Sequence, residues 1–440
     1  MAGGSLWLAA ALTATTLGLP VAAQAATVQA RLTCDGQVAT IVGGHKQGVL
    51  TGTAGDDVIV SNGASRVDAG DGDDLICATR DTNVVDAGAG DDTVDARRSE
   101  RGVAAILGAG RDTFRGSAHG DRVTAGTGYA DDEDSAHDVI RTAGGPDTVY
   151  SGAPNDPGAP NNDTIRLGSG HDHLKLAGDA AHAHIDLGAG HNHLSLRVCC
   201  EGKRVLIDTA AGTIAAGNDL VASYRGEART ITLGIDAAAT PGLTTGLTFR
   251  GSPRAEVLET VYDDEPDLLH ASISMRGGAD VLRLHDDDLR GSFRGGHGRD
   301  RLEATSPAAD TIVAMDSAMT EDGIRTATLR GLEDLLLEVP DGANARVSGT
   351  AGANLISVSG HLAHVVLRGL AGDDELSAGT PTAASTLYGG KGADVLYGGN
   401  SDDVLRGGPG NDVLFGRPGK DRGFGGPGHD RCHTEVKVSC

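Results

Sequence analysis

Aromatic side chains are nearly missing from this chain, which has five Phe, six Tyr and a single Trp among 440 residues. The tryptophan, Trp7, sits in an apolar N-terminal stretch. A core built on large rings is therefore excluded, and so is a tryptophan platform for stacking sugars or bases. Basic residues are scarce too, with 37 Lys and Arg against 61 Asp and Glu, a formal charge of −24. Such a chain repels phosphate backbones and anionic membrane surfaces, which argues against nucleic acid as a partner and points toward cations. Beyond residue 25 no apolar run is long enough to span a membrane.

Glycine, by contrast, is abundant at 67 residues, without the Gly-X-Y period of collagen. A hydrophobic fraction of 39% is too high for a chain disordered by composition. The first 25 residues carry no charge, run apolar from Leu6 to Ala23 and end in Ala23-Gln24-Ala25, a small-residue cleavage pattern. Residues 1–25 read as a signal peptide, although the basic n-region is absent, and the mature chain then starts near Ala26 and is secreted. Six cysteines remain after cleavage, an even number that favours disulfides in an oxidising compartment. Cys432 and Cys440 stand eight apart at the C-terminus, where a local staple would stop fraying, and Cys34 with Cys77 would do the same at the other end. The vicinal Cys199-Cys200 is either bonded to itself or free.

Repetition is the strongest signal. From Gly389 the chain reads GGKGADVLY, GGNSDDVLR, GGPGNDVLF, GRPGKDRGF and GGPGHDRCH without a gap, a frame G-G-x-G-x-D-x-U-x in which U is apolar. The frame recurs at Gly52, Ala69, Ala87 and Leu107, spaced 17, 18 and 20 residues apart, and again at Leu167, Met275, Gly295, Gly349 and Gly369. An acidic insertion, Asp131 to Asp134, and the stretch Asn155 to Asn162 interrupt it, while Glu201 to about Ala271 holds almost no copy and reads as plain strands. Glycines at the first, second and fourth positions let a loop curl with its carbonyls inward. The sixth-position Asp adds a carboxylate, and hard oxygen donors of this kind suit Ca²⁺ far better than zinc. The following x-U-x is a short strand with one inward apolar residue, such as Leu396, Leu405 or Leu414. Two nonapeptides make a turn of about 18 residues, which stacks same-side loops and gives a thin solenoid core.

In these motifs the chain resembles the RTX, or hemolysin-type, calcium-binding repeat family, closely over Gly389 to His433, well over Gly52 to Arg115, and in patches elsewhere. The resemblance implies an all-β fold, a parallel β-roll or right-handed β-helix solenoid with an irregular central segment. It also implies several Ca²⁺ ions, each held between two stacked loops by carbonyls and Asp. Carried onto this sequence, one ion uses Gly390, Gly392, Asp394, Gly407, Pro409 and Asp412. A second uses Gly408, Gly410, Asp412, Gly425, Pro427 and Asp430. A third, on the opposite side, uses Gly399, Ser401, Asp403, Gly416, Pro418 and Asp421. In the N-terminal block Asp57, Asp74, Asp92 and Asp112 line one side. Asn192 and Asn354 replace the Asp of their copies, and His119 and Arg417 replace glycines, so those loops lack a donor or a free turn.

The expected organisation is a signal peptide over 1–25, a degenerate calcium-binding roll over 26–200, an irregular solenoid segment over 201–368, and tandem nonapeptides with a disulfide cap over 369–440. His171-Asp172-His173, His182-Ala183-His184 and His191-Asn192-His193 place imidazoles where a transition metal could bind, or simply at exposed loop positions. Catalytic signatures are missing: there is no H-E-x-x-H, no G-x-S-x-G and no G-x-x-x-x-G-K-[ST]. The reading is a non-enzymatic, secreted calcium-binding protein with a structural or surface role, the surface being a cell-surface or extracellular glycan. The alternatives are a β-helix carbohydrate-active enzyme, lyase-like or epimerase-like, and an adhesin or ice-binding solenoid.

Overall fold

A computed structural model describes residues 32–126, 136–153, 159–199, 204–236, 246–263, 269–284, 289–379 and 384–440. The N-terminal segment 1–25, the insertion Asp131–Asp134, Asn155 and Cys200 lie outside these residues. The x-U-x triplets form short strands because each offers one inward position between two Gly-Asp turns. Successive strands alternate between two sheets, so that the chain winds as a solenoid. The first sheet runs from Ile41–Val42 to Val436–Val438 and the second from Val49–Thr51 to Arg431–His433. In the C-terminal coils Leu387 stands over Leu405 and Leu405 over Gly423 in the first sheet, and Leu396 over Leu414 and Leu414 over Cys432 in the second, all in parallel register. The all-β solenoid expected from the repeat is the fold observed.

The core is the single file of U residues from each sheet. Ile59, Ile76, Val94, Phe114, Ile140 and Ile165 line one wall, and Val67, Val85, Val123, Val149 and Leu174 the other, all with no solvent exposure. Burying such a side chain stabilises by roughly 1.5–3 kcal/mol. With one per nonapeptide, the interior stays thin and the turns must bond to one another.

Two places depart from the simple winding, both in the first sheet. Arg204–Asp208, Thr213–Ala216 and Asp219–Arg225 form an antiparallel meander whose last strand pairs back onto Ala180–Asp186 and whose first pairs forward onto Gly246–Arg250. Asp310–Ala314, Ala318–Glu321 and Ile324–Arg330 repeat the device. The second sheet passes both without interruption, pairing Asn192–Cys199 with Ala228–Asp236 and Arg301–Thr305 with Asp334–Glu338. Each meander adds two strands, about 10 Å, to one sheet only.

Disulfides close both ends, Cys34 with Cys77 and Cys432 with Cys440. Cys34 packs with Val60 and Cys77 in a small apolar cluster apart from the main file. Cys432 occupies the U position above Leu414, so its bond to Cys440 ties the last coil to the core. Cys440→Ser is expected to lower the unfolding free energy of the C-terminal coils by about 2 kcal/mol. Faster amide exchange confined to 422–438 would show it, and exchange unchanged there would refute the capping role.

Candidate metal centre

Most frame turns hold their sixth-position acid inside the solenoid, with Asn192 and Asn354 taking its place in two. The carboxylate lies between coils because its Oδ1 accepts a hydrogen bond from the backbone N–H of the equivalent residue one coil earlier. On the first-sheet side Asp57 N–H donates to Asp74 Oδ1, Asp74 to Asp92 and Asp92 to Asp112, each at 2.8 Å. The four N-terminal aspartates thus stand in one column. On the second-sheet side the chain of donors runs Asn354 to Asp374, Asp374 to Asp394, Asp394 to Asp412 and Asp412 to Asp430, at 2.8–2.9 Å. Asp403 to Asp421, at 2.8 Å, stands on the opposite side of the same coils.

The second carboxylate oxygen divides the loops into two kinds. In one kind the second frame residue has a left-handed backbone, as at Gly70, Gly88, Gly390, Gly408 and Gly426, and its N–H turns away from the acid. Oδ2 is then buried without a hydrogen-bond partner, in Asp74, Asp92, Asp394, Asp412 and Asp430 alike. Arg417, although not glycine, takes φ 70° and leaves Asp421 Oδ2 in the same condition. In the other kind the loop caps its own acid. Thr53 N–H donates to Asp57 Oδ2 at 2.8 Å, Ser117 to Asp121 Oδ2 at 2.8 Å, Ser252 to Glu256 Oε2 at 2.9 Å and Gly399 to Asp403 Oδ2 at 2.6 Å. Thr350 does the same for Asn354 Oδ1, at 2.7 Å.

Open loops also stack their main chains. Gly390 N–H meets Gly407 O at 2.8 Å and Gly392 N–H meets Pro409 O at 3.0 Å, and the next pair, Gly408 with Gly425 and Gly410 with Pro427, repeats both distances. These are the loops from which the first two ion sets draw their carbonyls. A Cβ on Gly392 or Gly410 would overlap the carbonyl of the glycine one coil below, so only glycine admits the approach. Around the third set, Gly399 N–H bonds to Asp403 Oδ2, where the equivalent Gly390 and Gly408 N–H groups bond to a carbonyl of the next coil.

The electrostatics follow this division only in part, since burial raises even the capped Asp121. Burial pushes the carboxyls of Asp92 and Asp374 up to about 7, and those of Asp74 and Asp412 to about 6, with neighbouring aspartates adding to the rise. Burial also raises Asp394 and Asp421. Asp57 is pulled upward by burial as well, but hydrogen bonds from Thr53 and Thr40 outweigh it and hold the group below its ordinary value. Asn192 shows what the open loop lacks. Its amide keeps the Oδ1 bond to Asp172 N–H at 3.1 Å, and its Nδ2 donates to Leu187 O, the first carbonyl of its own loop, at 2.8 Å. In an open Asp loop the corresponding Oδ2 is an acceptor with no hydrogen-bond donor, a place that a proton or a cation can fill.

Sequence reasoning left several members of this class out of its ligand sets. Asp147, Asp172, Asp280, Asp300 and Asp374 all carry a buried, unpartnered Oδ2. Four of them sit in frames legible at Leu167, Met275, Gly295 and Gly369. Asp147 was hidden because Thr142 and Ala143 hold the first two positions, and Ala143 adopts φ 75° regardless. The fifth frame position forms an outer ladder that also went unread: Asp73 N–H donates to Asp56 Oδ1, Asp91 to Asp73 and Ala393 to Asp373, at 2.7–3.0 Å.

The histidines stack as rungs. His191 N–H donates to His171 Nδ1 at 3.1 Å, and the rings of His173 and His193 lie 4.0 Å apart and parallel, bonded to Ser195 and Thr232. Among the described residues no three His, Cys, Asp or Glu side chains gather at one point. The open loops themselves offer main-chain carbonyls and carboxylates, hard oxygen donors of the kind that suit Ca²⁺. Among those residues, too, no helix is long and apolar enough to cross a membrane.

Comparison with known families agrees with this geometry. The RTX calcium-binding nonapeptide repeat matches four segments, residues 68–98, 106–129, 383–414 and 397–432. No curated protein matches the chain.

Proposed function

We propose that this chain is a secreted, non-enzymatic protein whose solenoid is folded by calcium and serves a structural or surface-interaction role. The observation that carries the reading is the column of open loops, each with a buried carboxylate oxygen that has no hydrogen-bond donor. The ions would sit between stacked loops, held by carbonyls of Gly390, Gly392, Gly407 and Pro409 with Asp394 and Asp412, and by the equivalent atoms of the next pair up to Asp430. The self-capped acids, Asp57 and Asp403, hold no ion on their own loops in this reading, since their second oxygen is already satisfied. Disulfides and the cleavable N-terminal pattern support an extracellular site of action.

Calcium stoichiometry tests the assignment. Asp412 bonds coils on both sides, while Asp430 closes the column. Asp412→Ala in the full chain is expected to lose about two ions, Asp430→Ala one and Asp403→Ala none. Equal losses in the three variants, measured by equilibrium dialysis, would refute the stacking of ions between open loops.

A further inference from the structure

Net charge hides where the charges are. Many acids of this chain stand in the turns, and the outer face of the first sheet carries arginines in register. Its strands repeatedly end in a hydroxyl or valine, the inward residue, then arginine: Thr113-Phe114-Arg115, Val139-Ile140-Arg141, Thr164-Ile165-Arg166. Parallel register puts these arginines directly over one another, Arg115 with Arg141 and Arg141 with Arg166. Asp186 follows, then Arg225. Beyond the first meander the file resumes with Arg250, Ser274, Arg294 and Arg330, each the register partner of the one before. It continues with Arg368, Tyr388, Arg406 and Phe424.

The arginines of the file are exposed from Arg141 onward, while Asp186, Ser274, Tyr388 and Phe424 are half-buried, and among the described residues none of Arg141, Arg166, Arg225, Arg250, Arg294 and Arg330 has a carboxylate within ion-pair distance. The file is not continuous, since Asp186 stands between Arg166 and Arg225, Asp208 is the register partner of Arg250 and both meanders interrupt it, but its unpaired cations keep to one face. The neighbouring column holds Thr164, Thr248, Ser292 and Thr328, with Arg346 and Arg422 toward the C-terminus, so hydroxyls flank the row over much of its length.

We infer that this row docks an extended, carboxylate-bearing polysaccharide. Where arginines are direct register partners, Arg115 with Arg141, Arg141 with Arg166, and Arg294 with Arg330, they stand one strand apart, about 4.8 Å, and each fork can take a carboxylate with two parallel hydrogen bonds. A linear polymer with a charge on its repeating unit matches those forks, and the flanking hydroxyls match its sugar hydroxyls. Single-stranded nucleic acid fits worse because it needs open aromatic faces on which bases stack. The rings in the row offer none: Arg368 covers Tyr388 at 5.2 Å, and Arg406 and Arg422 cover Phe424 at 4.5 and 5.5 Å. The inference rests on the surface-interaction role proposed above and supplies its partner class.

The test uses the full calcium-loaded chain and a fluorescein-labelled oligogalacturonate, read by anisotropy. Wild type is expected to bind it, more weakly as salt is raised. The quadruple variant Arg141→Gln, Arg166→Gln, Arg294→Gln, Arg330→Gln should lose at least about tenfold in affinity, and Arg166→Gln alone should lose less in the same direction. Arg254→Gln with Arg431→Gln, off the row, should change nothing. Calcium stoichiometry measured on each variant separates failure of the row from failure of the roll. Unchanged affinity in the quadruple variant would mean that calcium bridges the two polyanions, and would overturn the row. Tighter binding of a charge-matched oligothymidylate than of the uronate would overturn the polymer class.

Discussion

In EGTA at neutral pH the coils from Gly369 to Cys440 are expected to lose much of their strand signal and to melt at a low temperature, and calcium near the millimolar range to restore both. The reason lies in what those coils would otherwise contain. Asp374, Asp394, Asp412 and Asp430 stack one per coil with unpartnered oxygens buried between the layers. An ionised carboxylate in such a place costs several kcal/mol unless it is paired, and these repel one another besides. The compensating apolar gain is one leucine per nonapeptide: Leu376, Leu387, Leu396, Leu405 and Leu414, each fully buried. At roughly 1.5–3 kcal/mol apiece they cannot offset both the carboxylates and the ordering of nine residues each. Ion binding supplies the difference, so the metal affinity is folding free energy. Circular dichroism and calorimetry in EGTA and in calcium are the measurement. A full strand spectrum in EGTA, unmoved by calcium, would refute it.

The frame made the fold legible because two periodicities coincide in it, glycine at fixed positions and one apolar residue per nine. The columns of Asp57 to Asp112 and of Asp394 to Asp430 follow from that spacing alone. Three things did not. The meanders Arg204–Arg225 and Asp310–Arg330 have ordinary strand composition, and nothing local announces that a strand will turn back on its own sheet. Whether an acid is open or capped depends on the sign of φ at the second frame position, and Gly399 fits either conformation, so its sequence is silent while Thr53 and Ser117 speak. Arg417 and Ala143 mislead in the other direction, taking a left-handed turn that their side chains disfavour because the coil below fixes the path. The arginine row was invisible for a third reason. Its members lie 20 to 40 residues apart, and only register across coils of unequal length brings them into line.

Acidity is expected to act in opposite senses with and without the ion. The carboxyls of Asp92, Asp147, Asp280 and Asp374 are pushed by burial to about 7, against an unfolded value near 3.9. A group whose folded value is raised binds its proton better in the folded state. Its contribution to stability is fully present below the unfolded value and is lost as pH rises through about 7. In EGTA the melting temperature should therefore climb from pH 8 to pH 5. Calcium competes with that proton for the same Oδ2, so the calcium midpoint should rise over the same interval, by up to about tenfold per pH unit for each proton displaced. Asp374→Asn separates these buried sites from the general relief of a −24 chain. The amide can make the two bonds that Asn192 makes, without charge. In EGTA at pH 8 this variant should melt higher than wild type, and in calcium it should melt lower and bind fewer ions. A calcium midpoint constant between pH 5 and 8, or an Asp374→Asn chain less stable than wild type in EGTA at pH 8, would show that the buried carboxylates are not the seat of the metal.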